Sequence, residues 1–276
     1  MIRLLNIELK KILTYKTFWI IIGLYFLFLS LGILLAEFMI NSMVSDINER
    51  LPIPLPKAVL YTFPDIWQNL AFFSSIRFVL IFPAILVIIL ITNEFANKTI
   101  RQNIINGMSR MEFLVSKFLV IVMISFAVTL VLAIVTFILG ITHTDLQGIG
   151  SVFHKFVFIP GFFVQILTFL CLAFFFGFLL RNTGLSIALF TLYTIIIEPI
   201  LYFLLKAPFM FENKIYTYLP VNSVIRIAEY PAIPKLMGVL NFQIQSTVSL
   251  GSVLIPIGYA VVLLGIVYLV VTKKDL

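Results

Sequence analysis

Residues 93–119, NEFANKTIRQNIINGMSRMEFLVSKFL, form a charged segment between two long apolar stretches. In its first half, four apolar residues fall on one side of a short predicted helix: Ile100, Ile104, Ile105 and Met108. Gly107 suits a left-handed stop at the end of that helix. Ser109 and Glu112 then match the capping box S-x-x-E, which begins a new helix. The pattern therefore predicts a helix, a sharp break, and a second helix that runs through Lys117 into the next apolar stretch.

The composition places this segment in an integral membrane protein. The chain has 276 residues, of which 62% are hydrophobic and only 11% are charged, whereas soluble domains carry about 25% charged residues. A net charge of +7 would suggest nucleic acid as the partner of a soluble protein. Here we expect no nucleic acid partner, because basic residues commonly flank membrane spans. Cys171 is the single cysteine, which excludes an intrachain disulfide and any multi-cysteine metal site, and no metal site is predicted.

Six apolar stretches are long enough to cross a bilayer, which requires about 20 residues. They run over residues 18–40, 76–92, 118–141, 156–180, 185–205 and 252–271. The expected fold class is therefore an all-α integral membrane protein with six transmembrane helices. We expect residues 1–276 to form a single transmembrane domain.

The distribution of lysine and arginine predicts how the spans are oriented. With the N-terminus inside, the inside segments are 1–17, 93–117, 181–184 and 272–276. These short segments hold 11 of the 19 basic residues, and the remaining 8 are spread over much more chain. Positive charge concentrates on the cytoplasmic side of membrane proteins. We therefore expect both termini and the 93–117 loop to be cytoplasmic, and two long external loops at 41–75 and 206–251.

The first 17 residues predict an amphipathic helix that lies in the membrane interface. Ile2, Leu5, Leu9, Ile12 and Leu13 recur at helical spacing, and the opposite face is basic. Such a helix can bury its apolar face at the headgroup boundary and set its lysines against anionic lipid. Two interpretations remain open: a plain interfacial anchor and an element with a more specific role.

Over its full length the chain resembles the permease subunits of type-2 ATP-binding-cassette (ABC) exporters. The local resemblance is an acidic residue after the second span, a threonine, two aliphatic residues, a break, an arginine, and a lysine that enters the third span. In this chain these are Glu94, Thr99, Ile104, Ile105, Gly107, Arg110 and Lys117. The terminal residues 273–276, KKDL, are also similar to the family's ending. The chain departs from the pattern at Lys98, where glycine is common, and at Gly107–Met108, where proline is common.

The resemblance implies that the 93–117 loop inserts into a cytoplasmic ABC ATPase subunit, with residues 97–108 as the coupling helix. A solvated charged loop is the alternative. The residues expected at the docking site are Glu94, Lys98, Ile100, Arg101, Ile104, Ile105, Met108 and Arg110. The resemblance also implies a second permease chain, identical or related, in the cytoplasmic membrane of a prokaryote, with transport by alternating access.

The chain contains no phosphate-binding loop of the form G-x-x-x-x-G-K-[ST]. We therefore expect no catalysis and no cofactor on this chain, with ATP and magnesium bound by the separate ATPase chain. Two other functions remain open. One is an ion-coupled secondary carrier, although spans 1–3 and 4–6 show no internal repeat of the kind common in carriers. The other is a non-catalytic membrane scaffold.

Glu198 is the one acidic residue well inside an apolar stretch, and Pro199, which follows it, predicts a kink in the fifth span. An acidic group there is costly and needs a partner, water or a cavity. Glu198 is therefore a candidate residue of the translocation pathway. The alternative is a residue near the outer end of the span that reaches the headgroups. In the following external loop, Val221–Ile227 is either a short re-entrant helix or part of an ordered surface loop.

Overall fold

A computed structural model describes residues 2–49, 60–105, 107–144, 152–206, 215–229, 245 and 247–273. Secondary structure within these ranges is entirely helical. The last three residues of the KKDL ending, the side chain of Arg101, and parts of the loops 41–75 and 206–251 lie outside the described residues.

Within the described residues, six helices are long and apolar enough to cross a membrane, in agreement with the predicted number. We label them TM1 to TM6. They are α2 (Lys16–Asn48), α4 (Arg77–Ala96), α6 (Arg110–His143), α7 (Phe158–Leu180), the helix Thr183–Lys206, and α11 (Leu250–Lys273). TM5 is composite and consists of α8 (Thr183–Leu192), a π-helical turn (Tyr193–Ile197) and α9 (Glu198–Lys206).

Short helices lie at the two ends of the bundle. α1 (Ile2–Thr14) precedes TM1, and α5 (Thr99–Ile105) lies between TM2 and TM3. We call the loop 93–117 the elbow, and this end of the bundle the elbow end. The opposite end, the cap end, carries α3 (Ile66–Ser74), a 3₁₀ turn (Ile215–Tyr218), α10 (Pro220–Ile225) and a second 3₁₀ turn (Arg226–Ala228). Sequence analysis left open a short helix or a surface loop around Val221, and the structure has a short helix there that packs against other helices.

TM4 forms the centre of the bundle, because it makes extensive contacts with TM2, TM3 and TM6. Its contact with TM2 is the largest between two helices. Gly177 allows this close approach, since a Cβ at that position would lie 2.5 Å from a methyl group of Ile91 and 3.4 Å from the Cα of Ile88. Phenylalanines of TM4 fill the core on either side, and Phe169, Phe174 and Phe178 are all buried. The elbow is therefore connected, through TM2, to the best-packed part of the molecule.

Candidate functional site

The elbow has the predicted helix–break–helix geometry. Gly107 takes φ +95°, and the break closes α5 with two hydrogen bonds. The Gly107 amide donates to the Ile104 carbonyl, and the Met108 amide donates to the Asn103 carbonyl, both at 3.0 Å. This pair of bonds is a Schellman motif, which satisfies the last carbonyls of a helix. The stop predicted at Gly107 is confirmed.

The capping box that starts TM3 is also confirmed. The Ser109 hydroxyl accepts a hydrogen bond from the Glu112 amide at 3.1 Å, and the Glu112 carboxylate accepts one from the Ser109 amide at 2.8 Å. Two amides that the helix itself leaves without an acceptor are thereby satisfied. TM3 consequently begins at Arg110, inside the elbow. The part of the elbow after the break and the span therefore form one continuous helix.

A group of four charged side chains, of which Glu94 and Lys117 are buried, fastens the elbow to α1. The Glu94 carboxylate, at the end of TM2, is 2% exposed and accepts hydrogen bonds from the ammonium groups of Lys11 and Lys117, each at 2.5 Å. Lys117, on TM3, also pairs with Glu8 on α1 at 2.6 Å. We call Glu8, Lys11, Glu94 and Lys117 the clasp. Its two positive and two negative charges balance, which is the condition under which buried charges are tolerated.

The environment of Lys11 is consistent with a charged clasp. Burial alone lowers the pKa of its ammonium group, but the attraction and hydrogen bond of Glu94 outweigh burial, so that the pKa is raised. Lys11 is therefore protonated at neutral pH, and it links α1 to TM2 as a charged pair.

Arg110 connects the elbow to TM6. Its guanidinium group donates to the carbonyls of Val271 and Thr272, each at 2.9 Å. These carbonyls lie in the last described turn of TM6, where the helix dipole favours a positive charge. Arg110 therefore binds this chain's own last helix.

The turn between TM4 and TM5 meets the same end of TM2. The guanidinium group of Arg181 lies 5.0 Å from the centre of the Phe95 ring, a cation–π contact. The Thr92 and Thr183 hydroxyls are hydrogen-bonded at 2.8 Å. Together with the clasp and Arg110, these contacts link this end of the molecule into one unit. It includes the elbow, α1 and each of the helices TM2, TM3, TM4, TM5 and TM6.

The four apolar residues of the elbow do not share one environment. Ile100 is 3% exposed and packs in the core, and Ile104 and Met108 are partly buried against the same core. Ile105 is 75% exposed. The exposed side of α5 instead combines Ile105 with Lys98 and Gln102, which are both exposed. Gln102 and Ile105 are three residues apart, so they share one face of α5. Lys98 lies in the turn directly before this helix.

Lys98 has an unexpected backbone conformation, with φ +53°. Its amide donates to the Phe95 carbonyl at 3.2 Å, in the turn that separates TM2 from α5. This left-handed region favours glycine. The departure noted in the sequence, a lysine where the resembling family commonly has glycine, therefore lies where the backbone itself favours glycine.

Glu198 lies far from the elbow, at the cap end, and it is fully buried. Its carboxylate accepts hydrogen bonds from the Val221 amide at 3.0 Å and the Asn222 amide at 2.6 Å. These amides form the first turn of α10. Glu198 therefore caps a helix of this chain, instead of reaching toward headgroups.

Sequence reasoning missed the clasp. Glu94 and Lys117 stood out as charges beside apolar stretches, but nothing paired them with each other or with α1. The available signal was Glu8, which is the only acidic residue in an otherwise basic α1. An acid on the basic face of a predicted interfacial helix indicates a basic partner within the protein.

Comparison with known proteins gives one match. The model of a family described as "ABC-2 family transporter protein" matches residues 4–197, which is more than half of the chain. The match begins in α1, includes the whole elbow, and ends at the residue before Glu198. Among curated proteins, no sequence matches the chain.

Proposed function

Because the chain belongs to the ABC-2 family of transporter proteins, it is a membrane permease subunit of an ABC transporter, and we propose that a separate ATPase subunit docks on its elbow. Family membership implies association with an ABC ATPase subunit. It also disfavours the ion-coupled carrier and the scaffold. The elbow end is then cytoplasmic, in agreement with the density of basic residues there.

The docking face that we propose is narrower than the sequence suggested. It consists of the exposed residues Gln102 and Ile105 of α5 and of the exposed Lys98 in the turn before that helix. Ile105 supplies an apolar anchor and Lys98 a charge, the combination by which a short helix seats in a groove. Ile100, Ile104 and Met108 support this face from below, since they pack on the protein's own core. Glu94 and Arg110 fix the orientation of the loop.

Transmission depends on the clasp, the single observation that carries this proposal. A force on α5 would reach TM2 through the short turn between Ala96 and Thr99. It would reach TM3 through the break at Gly107, which leads into the capping box. Because Glu94 and Lys117 join these spans to each other and to α1, the elbow moves as one unit. Such a unit suits a rigid-body switch between inward- and outward-open states. We propose export by alternating access, with a second permease chain completing the pathway.

The chemistry of ATP belongs to the partner in this proposal. ATP and magnesium bind to the ATPase subunit, and this chain holds neither. Its contribution is mechanical: the docking face receives the closure of the ATPase subunits, and the clasp and Arg110 distribute it among α1, TM2, TM3 and TM6.

The test replaces Ile105 with aspartate and measures the ATPase chain that co-purifies from the native host in mild detergent. Quantitative mass spectrometry identifies the ATPase by its phosphate-binding loop. We expect the ATPase-to-permease ratio to fall at least about tenfold, because a charge would be buried in an apolar groove at a cost of several kcal/mol. Since Ile105 is exposed, the permease itself should insert and fold normally.

The matched control is Phe153→Asp, which places the same charge on an exposed apolar side chain at the cap end. This variant should retain the ATPase in the wild-type ratio. If Ile105→Asp retains as much ATPase as Phe153→Asp, docking on this face of α5 is wrong.

A further inference from the structure

The short helix at the cap end is held at its N-terminal pole by a carboxylate. Glu198 accepts from the amides of Val221 and Asn222, and the positive end of the helix dipole faces the same carboxylate. Tyr193 and Arg77 are also close enough to the carboxylate to interact with it. We call residues 220–228, α10 with its 3₁₀ extension, the cap helix. Glu198 is thus a buried acidic group with several polar partners.

Amide side chains hold the C-terminal pole of the cap helix. Gln165, buried on TM4, donates to the Val224 carbonyl at 3.0 Å and weakly to the Ile225 carbonyl at 3.4 Å. Gln245 donates to the Ile227 carbonyl at 2.9 Å and accepts from the Glu229 amide at 3.1 Å. Each pole therefore receives the group that it needs: acceptors at the amide end and donors at the carbonyl end.

The backbone of TM5 is irregular directly before Glu198. The Glu198 amide donates to the Tyr193 carbonyl, five residues back, and closes the π-helical turn Tyr193–Ile197. Pro199 follows and cannot donate to the Ile195 carbonyl, so the α-helical register is weakened at this turn. A π turn therefore lies directly before Glu198 and Pro199, where the sequence predicted a kink. Such turns are frequent at functional sites, because they aim a side chain that the α-helical register would direct elsewhere.

We propose that Glu198 and Gln165 are positioning residues that clamp the cap helix across the end of the permease, and that transport requires Glu198 to release it. The release rests on the proposed transport function, whereas the clamp itself does not. Conversion of the π turn to α-helical register would rotate Glu198 by about 100° around the TM5 axis, one residue of a 3.6-residue turn. That rotation withdraws the carboxylate from the Val221 and Asn222 amides, and both would then need new acceptors.

The clamp predicts how well a probe reaches the cap helix. Ser223, buried one turn into the helix, is replaced by cysteine in a Cys171→Ala background, which contains no other cysteine. The purified permease in lipid nanodiscs is treated with a polar maleimide, so that both ends of the bundle are accessible. Labelling is expected to be slow with the clamp intact. It should accelerate about 10- to 100-fold in Glu198→Leu, because the buried amides of Val221 and Asn222 lose their acceptor and the cap helix opens more often.

Graded variants separate a clamp from general destabilisation. Glu198→Gln keeps one acceptor oxygen and should label at an intermediate rate. Gln165→Leu removes the donor at the other pole and should also accelerate labelling, and Pro199→Ala should do so by favouring the α-helical register. The matched control is Thr136→Val, which also removes a buried polar group, one that bonds only within its own helix at 2.7 Å. Acceleration in Thr136→Val equal to that in Glu198→Leu, or no acceleration in Glu198→Leu, would overturn the clamp.

A second arm tests the release. The Ser223→Cys permease is purified with its ATPase subunit and trapped with ATP and vanadate. Faster labelling in the trapped complex supports release during the cycle, and an unchanged rate overturns it. The first arm needs no ATPase, so failure of the proposed transport function and failure of the clamp give different results.

Discussion

At the scale of single residues, Lys98 connects the sequence pattern to the backbone. The turn after TM2 requires a left-handed residue, and a side chain in that conformation costs about 1–2 kcal/mol relative to glycine. Glycine would avoid this cost, but it also increases the conformational entropy of the unfolded chain, which offsets part of the gain in stability. The backbone of a lysine at this position is strained. Its exposed side chain lies at the start of the proposed docking face, directly before α5. The charge that Lys98 brings to the docking face offsets a cost in backbone energy.

This view predicts opposite effects for two substitutions at the same position. Lys98→Gly should raise the free energy of unfolding by up to about 1 kcal/mol, since it removes the strain. Lys98→Val should lower it by about 1 kcal/mol or more, because β-branched side chains fit the left-handed region poorly. Reversible unfolding of the purified permease in mixed micelles of detergent and SDS measures both.

Lys98→Asn is the control, because asparagine tolerates the left-handed region and also lacks the positive charge. Its stability should fall between those of the other two variants. A glycine variant less stable than the valine variant would show that backbone strain is not what limits this position.

Residue-scale features were predictable where the signal is local. Gly107 and the Ser109–Glu112 capping box are short-range patterns with defined hydrogen bonds, and the structure contains both. The left-handed conformation of Lys98 could not be predicted, since lysine carries no preference for it. The partners of Glu198 could not be predicted either, because the amides it binds lie 23 and 24 residues further along the chain.

At the scale of elements, the clasp determines how α1 behaves. Its basic face suggested a helix attached only to lipid headgroups. The pairs Glu8–Lys117 and Lys11–Glu94 instead attach it to TM2 and TM3. In the proposed mechanism, α1 therefore moves together with the elbow, TM2 and TM3. The more specific of the two interpretations of α1 is therefore the one that we favour.

A double-mutant cycle tests whether these charges act as a unit. Lys117→Met alone should cost about 3 kcal/mol of unfolding free energy, because it removes a partner from the buried Glu94 and from the partly buried Glu8. Glu94→Gln alone should cost a similar amount, since it leaves the buried Lys117 paired only with Glu8. The double variant should cost clearly less than the sum of the two, with a coupling energy of about 1–3 kcal/mol. Additive losses would mean that Glu94 and Lys117 contribute independently.

Each element was predictable, but the pairing of elements was not. α1, α5 and the start of TM3 follow from helical periodicity and caps. Lys117 and Glu8 lie 109 positions apart in the chain, and no local pattern links positions at that distance. For the same reason, four apolar residues of the elbow were assigned to one helix face, although Ile100 is buried in the core and Ile105 is exposed.

At the scale of the whole molecule, composition and span length predicted six membrane-spanning helices, and the structure has six. They could not predict which side of each helix packs inward. The spans are apolar all round, so the amphipathic pattern that orients a helix in a soluble protein is missing. Small residues carry that information instead, since they mark where helix backbones approach. Gly177 does so for TM2 and TM4, and the contact it permits is the largest in the bundle.

The last prediction concerns this contact. Gly177→Val should lower the free energy of unfolding by about 1–3 kcal/mol, because the new side chain overlaps Ile91 and the backbone of Ile88 and forces TM2 away from TM4. Since TM2 ends in the clasp, its displacement should also reduce the ATPase recovered with the permease. Gly265→Val is the matched control in TM6, where a Cβ would meet nothing within 4 Å, and both quantities should stay at wild-type values. If Gly177→Val lowers stability but not ATPase recovery, the elbow docks independently of how TM2 packs. The mechanical coupling that we propose then does not extend from the clasp into the TM2–TM4 contact.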